Sequence, residues 1–101
     1  MTTKQRAGLR SMGAMLQPIL HIGKEGIGPT LLKQAYDALE ARELIKISVL
    51  NNCLDDPKEL GIMVAERTRS ELVQVIGKKI VLYRESKEHK RITLPAEKKN
   101  R

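Results

Sequence analysis

The chain has 101 residues and a mass of 11.4 kDa; 41% of its residues are hydrophobic and 2% aromatic, and 19 basic against 12 acidic side chains give a formal charge of +7. That length sets the expectation of one domain over residues 1–95, large enough to bury about 65% of its unfolded surface without metal or disulfide, followed by a basic tail, 96–101, expected to be disordered. One cysteine, Cys53, excludes an internal disulfide and makes a reducing, cytoplasmic setting the expectation, while no apolar run approaches membrane-spanning length.

The charge is uneven along the chain. Residues 1–28 carry four basic side chains against one acidic, and 29–56 carry three against five. Residues 57–83 carry five against three, and 84–101 seven against three. The excess sits at both ends, so a basic face is expected rather than a uniform coat, and a polyanion is the natural partner.

Thr2-Thr3-Lys4-Gln5 has the form of a capping box. Leu9, Met12, Met15 and Leu16 recur at helical spacing, with Lys4, Arg6 and Arg10 largely off that stripe. A helix over about 3–16 follows, ended by Pro18 and weakened by Gly8 and Gly13. Its acid-free start also has transit-peptide composition, but the capping box favours a structural helix. Ile19 to Ile22 forms a short apolar strand. A glycine-rich loop comes next, then Gly28 as cap and Pro29 at the first position of a second helix reaching about Ala41. Leu44 to Leu50 alternates and is a strand with Ile45, Ile47 and Val49 on one face. Asp56, Pro57 and Glu59 start a third helix that runs to about Arg69. Leu72–Ile76 and Ile80–Tyr83 flank Gly77-Lys78-Lys79 as a hairpin. A weak strand over 91–94 precedes Pro95. The order is α-β-α-β-α-β-β. This is an α/β arrangement of the α+β two-layer kind, with a small mixed four-stranded sheet packed against helices.

The loop "GKEGIG" fits neither dinucleotide glycine spacing nor a phosphate-binding P-loop, which needs Lys-Ser or Lys-Thr after its last glycine. It contains Gly23-Lys24-Glu25-Gly26, a GxxG turn between a strand and a helix. Glycines let main-chain N–H groups approach a phosphate, a helix amino end adds partial positive charge, and Lys24 adds a full one.

The blocks "KQRAGLRSM" (4–12), "PILHIGKEGI" (18–27), "ALEARELIKISVL" (38–50) and "ELVQVIGKKIVLYR" (71–84) carry a family resemblance over about Thr3 to Pro95. The chain resembles the CRM domain family, the chloroplast RNA splicing and ribosome maturation domain, and in particular its single-domain bacterial YhbY-type members. The resemblance implies a fold like the C-terminal domain of bacterial initiation factor three with an added N-terminal helix. It implies RNA binding, and association with precursors of the large ribosomal subunit to assist their assembly. It places the backbone-clamping GxxG loop on Gly23, Lys24, Glu25 and Gly26, where Glu25 departs mildly from what a phosphate clamp prefers, and the basic helix on Lys4, Arg6 and Arg10.

No catalytic set can be assembled. Ser48 lacks an activating histidine at any recognisable spacing, and His21, His89 and Cys53 do not supply the four ligands of a zinc site. The reading is therefore non-enzymatic, with no cofactor, no metal, no membrane and no small-molecule substrate. With Tyr36 and Tyr83 as the only aromatics, base stacking is poorly served, so backbone and shape recognition of a structured RNA is expected. The alternative is a protein-interaction module whose basic face docks on an acidic protein.

Overall fold

The computed structural model describes residues 1–88 and Ile92. The strand expected over 91–94 and the tail from 96 lie outside them, Ile92 excepted. The elements are α1 (Thr3–Ala14), β1 (Leu20–Ile22), α2 (Pro29–Arg42), β2 (Leu44–Val49), α3 (Pro57–Thr68), β3 (Glu71–Ile76) and β4 (Lys79–Tyr83), in the expected order. They form a four-stranded mixed sheet in the order β1-β2-β4-β3. β1 runs parallel to β2, whereas β4 is antiparallel to both β2 and β3.

Strand alternation sorts the side chains onto the two sides of this sheet. Ile45, Ile47 and Val49 of β2 join Ile22, Ile80 and Leu82 in a core closed by Ala35 and Leu39 of α2 and Leu60 and Val64 of α3. Leu44, Val73, Val81 and Tyr83 point the other way and are closed by Leu9 of α1. The α2/α3 pair and the sheet thus make the two-layer unit, and α1 lies on the opposite side of the sheet. A bulge between Leu72 and Gln74 adds one residue to β3, which keeps Val73 on the α1 side.

Local chemistry explains the ends of the helices. Thr2 Oγ1 accepts the Gln5 N–H at 3.0 Å and Gln5 Oε1 accepts the Thr2 N–H at 3.0 Å, the reciprocal capping box. Asp56 Oδ1 accepts the Lys58 N–H at 3.2 Å, with Pro57 at the first position of α3. Gly13, read above as a weakness, has a packing role: a Cβ there would stand 2.8 Å from Val81 Cγ1, so its absence lets α1 approach the sheet. The hairpin loop has two residues, not three, because Lys79 already pairs with Ile76. Only Gly77 of that loop has positive φ, at 55°, the pattern of a turn with glycine first.

Glu43 ties the chain together after α2. It is fully buried with φ 68°, and its carboxylate accepts the Ser86 and Ile92 N–H groups, each at 2.7 Å. Arg84 is fixed nearby. Its guanidinium donates to Thr68 C=O at 2.9 Å and to Glu40 Oε2 at 3.1 Å, and stacks 4.2 Å from the Tyr36 ring centroid.

Candidate nucleic-acid interface

The carboxyl ends of β1 and β2 lie at the same end of the sheet as the β3–β4 hairpin, because His21 pairs with Ser48 and Ser48 with Lys79. The Gly23–Gly26 turn leaves this end of the edge strand β1. The Gly26 N–H donates to the Gly23 C=O at 3.0 Å, closing a β-turn with Lys24 and Glu25 at its exposed tip. Neither Lys24 nor Glu25 has positive φ, so the turn belongs to type I, and Gly26, at φ 72°, takes the left-handed step that redirects the chain into α2. The two glycines therefore differ. Gly26 needs its conformation. Gly23 has ordinary φ, and a Cβ there would find only Asn52 Oδ1 at 3.6 Å and Leu50 Cδ1 at 3.7 Å.

Beside the turn lies a cleft of about 660 Å³, lined by Gly23, Lys24, Gly26 and His21, by Asn52 of the following loop and by Thr30 of the first turn of α2. The amino end of α2 has no side-chain cap and no acidic residue in its first turn. Its free N–H groups and the positive end of its dipole therefore stay available to an anion. Acids are close all the same. Glu25 shares the tip, and Asp55 Oδ2 would stand 3.6 Å from a Cβ on Gly26. One lysine against two carboxylates leaves the full charges near the turn slightly negative, so main-chain amides together with Lys24 are what meet an anion.

The expected basic helix is elsewhere. Arg6 donates to Glu71 Oε1 at 3.0 Å and to the Leu72 C=O at 3.3 Å, at the start of β3. That is the opposite edge and the opposite end of the sheet from the turn. From strand spacing and rise, the two corners are about 20 Å apart. The structure does not gather Lys4, Arg6 and Arg10 with Lys24 into one cradle, because α1 starts at the β3 corner and crosses to the other side of the sheet. Arg6 is also engaged in an ion pair, whereas Lys4 is exposed and Arg10 half-buried, neither with a carboxylate partner among the described residues.

The fold takes up most of the aromatic surface. Tyr83 is buried, and the Tyr36 ring is covered on one face by Arg84. Arg84 is occupied with Glu40. Among the described residues no group of three or more His, Cys, Asp and Glu is placed to hold a metal ion. Lys78, at the hairpin tip, donates to Asn51 Oδ1 at 3.0 Å and so joins the hairpin to the loop beside the cleft.

Sequence reasoning placed Lys79 in the hairpin loop and did not single out Lys46. Lys46 and Lys79 belong to the inner strands β2 and β4 and project to the α1 side, like the buried Leu44 and Val81 two positions away on the same strands. The alternation of Leu44 to Val49 contained the signal for Lys46: its polar position shares a face with Leu44.

The CRS1/YhbY (CRM) domain pattern matches residues 1–84. The Bacillus subtilis protein named "Probable RNA-binding protein YqeI" is 50% identical over 95 residues, covering 94% of this chain and 99% of its own. A Haemophilus influenzae protein named "RNA-binding protein" is 33% identical over 95 residues, covering 94% and 95%. The solution structure of a Staphylococcus aureus protein superposes with a TM-score of 0.79 at 57% identity, over 94% of this chain and 99% of that one. With its turn between β1 and α2, its mixed sheet and its α1 on the far side, this chain belongs to the CRS1/YhbY (CRM) domain family.

Proposed function

We propose that this protein binds RNA in the cytoplasm, associates with the precursor of the large ribosomal subunit RNA, and assists assembly of that subunit. The observation that carries the reading is the Gly23–Gly26 turn. It presents Lys24 at an exposed tip beside an uncapped, acid-free helix start, on a cleft of about 660 Å³. Relatives named as RNA-binding proteins share the chain over nearly its full length.

Recognition runs through the sugar-phosphate backbone. A phosphate enters the cleft, accepts main-chain N–H groups near Gly23 and from the first turn of α2, and pairs with Lys24. Glu25 also lines the cleft and weakens this contact. Lys4 and Arg10 meet a different part of a folded RNA, about 20 Å away, and Arg6 orients α1 on β3 through Glu71. With Tyr83 buried and one face of Tyr36 covered by Arg84, base stacking is poorly served, and shape and backbone decide what is bound.

The test is crosslinking in cells, sequencing of the attached RNA, and sedimentation of the protein on a sucrose gradient. The expected result is crosslinks concentrated on large-subunit precursor RNA and co-migration with immature large-subunit particles. Crosslinks spread in proportion to RNA abundance would overturn the ribosomal assignment. A stable acidic protein partner without any bound RNA would replace the whole reading with protein docking.

A further inference from the structure

The α1 side of the sheet holds a second cationic feature that the turn does not explain. α1 stops at Ala14, and among the described residues no helix lies beyond it over the end of the sheet near the turn on this side. A dent of about 180 Å³ opens there between α1 and the strands, lined by Gly13, Lys46, Gln74, Ile76, Lys79 and Val81. Its volume matches several waters at roughly 30 Å³ each, which is room for a phosphate group.

The two lysines are diagonal neighbours. Lys46 pairs with Val81 and Lys79 with Ser48, which places them one register step apart on adjacent strands. Their Cβ atoms are therefore within about 8 Å, like charges with no carboxylate between them. Neither side chain has an ion-pair partner among the described residues. Lysine on an edge strand is common, because it discourages sheet-to-sheet association. That explanation fails here, since β2 and β4 are the inner strands.

Charge separates by side. The α1 side carries Lys4, Arg6, Arg10, Lys46 and Lys79, and its one acid in the helix or the strands is Glu71, which Arg6 neutralises. The α2 and α3 side is mixed, with Asp37, Glu40, Glu59 and Glu66 among its cations. The dent and the cleft of the turn share no lining residue but lie toward the same end of the sheet. His21 lines that cleft and stands in the same cross-strand row as Ser48 and Lys79. Two strand spacings, about 10 Å, separate it from Lys79.

We propose that Lys46 and Lys79, with Gln74, form a second phosphate-binding site on the open side of the sheet, which holds the backbone of the same RNA as it continues past His21 from the Gly23–Gly26 turn. The site rests on the RNA-binding reading above. It supplies the net positive charge that the turn, with Glu25 and Asp55 beside it, lacks. It also bridges the gap between the turn and Arg10 of α1.

The test uses the full chain and a fluorescein-labelled hairpin of large-subunit precursor RNA, titrated between 50 and 300 mM salt. The variants are Lys46→Gln/Lys79→Gln, Lys24→Ala, and Lys58→Gln/Arg67→Gln on exposed α3 as a control. Two lost phosphate contacts flatten the log–log salt slope by about 1.4 to 1.8, and weaken binding about 25- to 60-fold at 0.1 M salt. The expected result is that loss for the sheet variant, an unchanged melting temperature, and little change for the control. Flattening by Lys24→Ala alone, with the sheet variant binding like the wild type, overturns the second site and leaves the RNA-binding reading standing. A lowered melting temperature with unaltered binding also overturns it, because the lysines would then serve the carbonyl end of α1. Failure of the wild type to bind the hairpin at any salt removes the RNA-binding reading itself.

Discussion

Gly23 and Gly26 sit three residues apart in one turn, yet the geometry makes them respond differently to the same change. Gly26→Ala forces a Cβ onto a residue at φ 72°. The left-handed conformation costs a non-glycine residue about 1–2 kcal/mol, which in a domain of this size lowers the melting temperature by several degrees. Gly23→Ala meets no such barrier, since its nearest neighbours would be Asn52 Oδ1 at 3.6 Å and Leu50 Cδ1 at 3.7 Å, ordinary contacts. Reduced freedom of the unfolded chain should make it neutral or stabilising by about 0.4–1 kcal/mol. The added methyl nevertheless projects into the cleft between the turn and Asn52, where the phosphate is placed. Losing one hydrogen bond to a charged group costs about 1.5–3 kcal/mol, or roughly one to two orders of magnitude in affinity. Thermal unfolding followed by circular dichroism and RNA binding followed by fluorescence anisotropy separate the two effects. Gly23→Ala should melt at or above the wild-type temperature and bind RNA at least tenfold more weakly. A well-folded Gly23→Ala that binds like the wild type would refute the claim that the backbone at this position meets the ligand.

Other expectations concern the frame that holds the turn. Glu43→Ala leaves the buried Ser86 N–H and the part-buried Ile92 N–H without their carboxylate; urea titration should show a loss of about 3 kcal/mol or more. Gly13→Ala should cost about 1–2 kcal/mol despite alanine's better helix propensity, because its Cβ would stand 2.8 Å from the stiff Val81 side chain. Combined with Val81→Ala, the two losses should be less than additive in a double-mutant cycle. Arg6→Gln removes an exposed ion pair whose partners are 39% and 49% accessible, so chemical denaturation should register no more than about 1 kcal/mol.

Much of this architecture is legible in local sequence because local chemistry decides it. The Thr2–Gln5 box, the Asp56-Pro57 start of α3 and the β2 alternation all depend on residues within a few positions of one another. Features that depend on distant partners are not legible. Arg6 finds Glu71 across 65 positions, and nothing beside either residue announces it. Glu43 takes positive φ where glycine would be expected, because its buried carboxylate is needed 43 and 49 positions later. The placement of α1 opposite α2 and α3 is likewise a tertiary outcome. It separates the basic helix from the turn, and it exposes Lys46 and Lys79 as a pair that the linear order conceals.

The central claim is that the Gly23–Gly26 turn neutralises phosphate through Lys24. The measurement that tests it most directly is the salt dependence of RNA binding for the wild type and for Lys24→Ala. The log–log slope should fall by about 0.7 to 0.9, one counterion's worth, with affinity reduced alike for unrelated RNA sequences. Parallel slopes for the two proteins, at equal affinity, would contradict it.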